Sequence, residues 1–159
     1  MKQALLIIDM INGMEQWISK RRIRKIIPNL EKLIKKCKEK KIPIYYIVHK
    51  PLGKKGTKFY SKIAPKRDKI IYKNYYSSFY RTGLHRALKN KRIKNLLITG
   101  ISTHWCVLAT ALSAYYRNYK ITIVKDCVTA PTDADNRWAL HWMDDTLGVS
   151  IKNSRYVIK

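Results

Sequence analysis

The sequence predicts an α/β fold: a doubly wound, mostly parallel six-stranded sheet with helices on both faces, a Rossmann-like three-layer sandwich. Two observations carry this. Short continuous apolar runs, the mark of strands buried on both faces, alternate with stretches whose apolar residues recur at the helical period. A strand–helix alternation of this kind calls for right-handed crossovers, which make neighbouring strands parallel and cover both faces of the sheet. The 159 residues suit one domain, spanning 1–159, with a full hydrophobic core.

The first strand is the run Ala4 to Ile8, closed by Asp9. From about Arg22, apolar residues at Ile23, Ile26, Ile27, Leu30, Leu33, Ile34 and Cys37 draw a helical stripe, which makes Cys37 a packing residue. Pro28 is compatible with the first turn of that helix or with a kink. Ile42 to Val48 reads as the second strand. Residues 50–68 carry Pro51, Gly53, Gly56 and Pro65 among lysines, which is loop chemistry with room for one helical turn.

A short third strand, Lys69 to Tyr72, ends at Lys73, and a helical stretch follows from about Gly83 to Asn90. Leu96 to Thr99 is a fourth strand, turned by Gly100, and Cys106 to Tyr116 reads as the next helix. Lys120 to Val124 supplies a fifth strand, Asp133 to Leu147 a helix, and Tyr156 to Ile158 a short final strand.

Cys106 is the most informative residue. A thiol at the start of a helix sits where backbone amides favour negative charge, so its pKa is expected to fall and thiolate to be populated. A single cysteine is more often a buried packing residue than a nucleophile. Its company argues otherwise, because Asp9, Lys73 and Cys106 each follow a strand directly, and parallel strands bring their carboxyl ends to one sheet edge, where ligands of open α/β sheets bind. Singly, Asp9 reads as a turn residue and Lys73 as a solvated lysine.

Across nearly its whole length the chain resembles the isochorismatase-like cysteine hydrolases, a superfamily that includes nicotinamidase and N-carbamoylsarcosine amidase. The resemblance rests on Ala4-Leu5-Leu6-Ile7-Ile8-Asp9-Met10 with Asn12, Ile42-Pro43-Ile44-Tyr45, and Lys73 followed by Ser77-Ser78-Phe79 and Thr82-Gly83-Leu84. It continues through Gly100, Thr103, Cys106, Val107, Thr110 and Ala111. It implies a six-stranded doubly wound fold and a catalytic triad of Cys106, Asp9 and Lys73. It also implies a cis peptide between Ile101 and Ser102, with the amides of Ser102 and Cys106 as an oxyanion hole.

The chemistry so implied is hydrolysis of a C–N bond in a small amide or carbamoyl compound: Asp9 takes the thiol proton, Cys106 attacks the carbonyl, and a thioester acyl-enzyme forms. Isochorismatases proper cleave a vinyl ether and lack the nucleophilic cysteine, so Cys106 favours amide hydrolysis. Nicotinamidases carry Asp-x-His and a further His between the second and third strands to hold a metal. Here only His49 stands in that interval, the four histidines lack ligand spacing, and no metal or cofactor is expected. Ile11 stands where the family often has Gln. His104 stands where it commonly has an acid or amide, and is expected to face away from the site.

Substrate-binding candidates are Met14, Trp17, His49, Tyr75, Phe79 and Trp105, with Tyr and Trp rings suited to stacking on a planar substrate. The short interval between Val48 and Ile70 suggests a reduced lid, and a site that is open or completed by a neighbouring subunit. A homo-oligomer, dimer or larger, is what the resemblance implies. Cys127, after Asp126, reads as a small packing residue.

Cys37, Cys106 and Cys127 are too far apart for a disulfide framework or zinc knuckle, and no apolar stretch is long enough for a signal core or membrane span. A soluble, cytoplasmic protein without a membrane partner is expected. The formal charge of +24 allows association with nucleic acid. With the cations spread from Lys20 to Lys94 and no binding motif to order them, a solvated basic surface is the preferred reading. A nucleic-acid-associated or catalytically idle member of the fold is the alternative.

Overall fold

A computed structural model describes residues 2–50 and 58–158. Six strands form one sheet: β1 (Gln3–Ile8), β2 (Ile44–His49), β3 (Lys69–Lys73), β4 (Asn95–Ile101), β5 (Lys120–Thr129) and β6 (Ser150–Lys152). Every neighbouring pair is parallel, in the order β3-β2-β1-β4-β5-β6. The chain steps outward from β1 to β3 and then returns to the other side of β1. The order therefore reverses at the carboxyl end of β1, which is where this class of sheet opens a ligand crevice.

Alternation along the strands assigns the helices to faces. Ala4, Leu6 and Ile8 join one core with Leu84 and Leu88 of α2 (Leu84–Asn90), Ala111 and Ala114 of α3 (Leu108–Tyr115), and Met143 of α4 (Asp133–Leu147). Leu5 and Ile7 point the other way, into a core built with the apolar stripe of α1 (Lys20–Glu39). Ser19 caps α1 by accepting the Arg22 amide. Pro28 lies well inside α1, so the first-turn placement does not hold. Its ring points outward to solvent, away from the buried stripe.

The final strand is also corrected. It is Ser150–Lys152, pairing with Thr122 to Val124, whereas Ser154–Tyr156 is a 3-10 turn and Ile158 is buried under α1. Gly148, in the left-handed conformation at φ 61°, ends α4 and leads almost at once into β6. A three-residue strand with a single apolar side chain leaves no periodic trace in sequence. β5 runs further than expected, to Thr129, because a register shift opposite Ile98 and Gly100 lets it resume pairing beyond Asp126. Residues 51–57, part of the expected reduced lid, lie outside the described residues; Ser61–Ile63 supplies the anticipated helical turn.

Gly100 is demanded by close approach. Its φ is 106°, and a Cβ there would sit 2.1 Å from the Ile8 carbonyl oxygen and 2.6 Å from the Ile8 nitrogen. The absence of a side chain lets β4 press against β1 immediately before Asp9 and Cys106 leave the sheet.

Candidate active site

Asp9, Lys73 and Cys106 converge at the carboxyl edge of the sheet. Lys73 Nζ lies 2.9 Å from Asp9 Oδ2 and donates to Cys106 Sγ at 3.2 Å and to the Tyr75 carbonyl at 3.2 Å, so its three donors are all engaged. The Asp9 and Lys73 side chains are wholly buried. Asp9 has φ 52°, a left-handed turn that swings its carboxylate out of the strand line, and Oδ1 accepts the His49 backbone amide at 2.7 Å. No backbone amide reaches Oδ2 among the described residues, leaving a lone pair for a further proton.

Cys106 sits in a π-helical turn, Thr103–Val107, that precedes α3, and is not the first residue of the α-helix. The Ser102 carbonyl accepts both the Trp105 and Val107 amides, curling the chain so that Sγ faces Lys73. The Ile101–Ser102 peptide is cis. The segment after Lys73 is pinned to α3 by a buried bond between Ser78 Oγ and Thr110 Oγ1 at 2.8 Å, with the Ser78 amide also donating to Thr110 Oγ1.

The expected low thiol pKa is not what the site produces. Burial pushes the Cys106 thiol up to about 12, with the Asp9 carboxylate adding to the rise and Lys73 opposing it. A helix-terminus argument omits that cost: the residue is only 4% exposed and has an anion beside it. At that value the Cys106 side chain favours its thiol form at neutral pH.

A cavity of about 680 Å³ opens over the sulfur, lined by Met14, Trp17, His49, Tyr75, Trp105 and Cys106, together with Asn74 and Tyr76, which sequence reasoning missed. The nearest signal for those two was their place directly after Lys73. Phe79 does not join them. It is buried in the core against Tyr119, ring centroids 5.7 Å apart, because the turn at Ser77-Ser78 sends it inward. Burial, and then Lys73, lower the His49 pKa against an opposing contribution from Asp9, and His49 Nδ1 is buried with no partner among the described residues. His104 is not among the residues lining the cavity: its Nδ1 lies 2.9 Å from Ser102 Oγ and its ring packs on Trp105 at 4.5 Å.

No group of three or more His, Cys, Asp or Glu side chains among the described residues is arranged to hold a metal. Among the described residues His49 is the one imidazole lining the cavity, and the Lys73 ammonium already occupies the near side of Asp9, a donor set that does not fit a metal ion.

Comparison with known proteins identifies the family. Residues 3–153 match the family model described as the isochorismatase domain. An uncharacterized isochorismatase family protein of Bacillus subtilis (strain 168), YaaI, is 33% identical over 99% of this chain and 97% of its own length. N-carbamoylsarcosine amidase from Thermoplasma acidophilum superposes with a TM-score of 0.87 at 26% identity, covering 99% of both chains. The nicotinamidase SaPncA from Staphylococcus aureus gives 0.86 at 25% identity, over 96% of this chain and all of that one. The fold is that of a six-stranded, doubly wound hydrolase of the isochorismatase type, with a buried thiol at the carboxyl edge of its sheet. The chain belongs to the isochorismatase family.

Proposed function

We propose that this protein is a cysteine amidohydrolase that cleaves a C–N bond of a small amide or carbamoyl compound through a triad of Cys106, Asp9 and Lys73. The observation that carries the reading is the single ammonium of Lys73 bridging a buried carboxylate and a buried thiol beneath an open cavity. A packing cysteine needs neither partner, and a buried ion pair is costly to maintain without a role.

The reaction follows from these contacts. Asp9 Oδ2 accepts the thiol proton as Sγ attacks the substrate carbonyl carbon, and Lys73 stabilises the sulfur anion as it forms. The oxyanion of the tetrahedral intermediate rests on the amides of Ser102 and Cys106, each such donor worth about 3 kcal/mol in acyl transfer. Protonated Asp9 gives its proton to the leaving nitrogen, the C–N bond breaks, and a thioester remains. Water, deprotonated by Asp9, then attacks the thioester; the acid is released and the thiol regenerated.

Trp17, Tyr75 and Trp105 supply aromatic walls for a planar substrate, with Met14 alongside, and His49 supplies a hydrogen-bonding edge. Hydroxylamine tests the acyl-enzyme, since it intercepts a thioester as a hydroxamate. Hydroxamate should form from any amide that is turned over and should vanish in Cys106→Ala; turnover without hydroxamate that persists in this variant would exclude the mechanism.

A further inference from the structure

An open cleft lies away from the thiol, where α1 and α2 end and β1, β2 and β4 begin. It measures about 1040 Å³, against about 680 Å³ over Cys106. Six of its fourteen lining residues are cations, Lys2, Lys40, Lys41, Lys91, Arg92 and Lys152, whereas the whole chain has 34 in 159. Among the described residues, none that lines it is an Asp or Glu. All six cations are exposed, and none forms an ion pair among the described residues.

Part of this has a local explanation. Lys40 and Lys91 cap the C-termini of α1 and α2, and Lys41 and Arg92 follow them in left-handed turns at φ 55° and 57°, positions where a cation offsets the negative end of the helix dipole. Lys2 and Lys152 serve no helix end, yet they face the same cleft. Six like charges converging on one concavity repel one another and focus a positive field, which an anion of matching length relieves. Tyr156 adds a ring to the wall, 61% exposed, with Arg155 over it at 4.6 Å.

We propose that this cleft is a binding site for single-stranded nucleic acid, the phosphodiester backbone lying along the lysines and a base stacking at Tyr156. Spaced cations with an exposed aromatic ring are the recurring design of such grooves. The concave shape and the single exposed ring fit a strand better than a membrane surface, which asks for a convex or flat apolar face. The site is independent of the hydrolytic reading.

Anisotropy of a fluorescein-labelled oligothymidylate, titrated with the intact protein between about 50 and 200 mM salt, tests this. Lys2→Glu/Lys152→Glu should weaken binding at least tenfold and flatten the slope of log K against log salt by about 1.4 or more, the loss of two single-strand phosphate contacts. Lys25→Glu/Lys35→Glu, on the exposed face of α1 and equal in net charge, should change affinity less than threefold. Lys41→Gln/Arg92→Gln repeats the test at the other wall, with melting curves confirming that each variant folds. Tyr156→Ala should weaken oligothymidylate severalfold while leaving inorganic polyphosphate unaffected. Equal loss from the cleft and α1 pairs would mean diffuse charge and overturn the site; polyphosphate binding as tightly as oligothymidylate, with no effect of Tyr156, would overturn the nucleic-acid assignment.

Discussion

Lys73 Nζ and Asp9 Oδ2 stand 2.9 Å apart with both side chains fully buried, at the carboxyl ends of two strands separated by β2. The pair is held from every side: Asp9 by the His49 amide, Lys73 by the Tyr75 carbonyl, and both by the crevice where the strand order reverses. A buried ion pair loses several kcal/mol when one partner is removed, about 3–5 in typical cases, because the other charge is stranded. Lys73→Met should therefore lower stability by that order and turnover by at least about 100-fold. Urea melts and steady-state rates check the two effects, and Lys73→Arg should recover stability more than rate, since a planar fork cannot reproduce the ammonium's three contacts.

The thiol makes a pH prediction with a definite sign. With Cys106 raised to about 12, neutral pH finds it protonated, so alkylation by iodoacetamide should be slow at pH 7 and climb through the alkaline range. Removing the neighbouring carboxylate in Asp9→Asn takes away a cause of that rise. Alkylation should then move to lower pH while turnover falls by about 100-fold or more through loss of the base. A more reactive thiol in a less active enzyme is the outcome that separates a base from a structural carboxylate.

Gly100→Ala should be among the most damaging single changes in the chain. The added carbon would meet the Ile8 backbone at 2.1 Å, and the left-handed φ penalises any side chain. A loss of about 3 kcal/mol or more, read from denaturant midpoints, is expected, with activity falling in step because Asp9 directly follows Ile8.

Cys37 and Cys127 provide the contrast to Cys106. Both are fully buried in the core under α1, and burial raises both thiols, with Asp126 adding to the rise at Cys127. Neither approaches Lys73. Cys37→Ala and Cys127→Ala should each cost about 1–2 kcal/mol through lost packing and leave the turnover number unchanged.

Much of this was legible in the sequence because the periods were strong. Ala4 to Ile8 and Leu96 to Thr99 read as buried strands, the stripe from Ile23 to Cys37 read as a helix, and their alternation forced Asp9, Lys73 and Cys106 onto one edge. What stayed hidden depends on tertiary context. The π turn before α3 changes no apolar period, β6 is too short to have one, and Phe79 turns inward because of a Ser78–Thr110 bond that spacing does not reveal. The thiol's raised pKa reflects burial and a neighbouring charge, both products of the fold. Likewise, Lys2 and Lys152 sit near opposite ends of the chain, and only the sheet brings them to one cleft.

Ammonia release from a panel of nicotinamide, carbamoyl, ureido and maleamate-type amides, measured for the wild-type chain beside Cys106→Ala, tests the central claim most directly. The account predicts release from at least one of these by the wild type and a loss of at least about 1000-fold in the variant, which should keep its melting transition. Comparable release by Cys106→Ala, or none by the wild type from any of them, would contradict it.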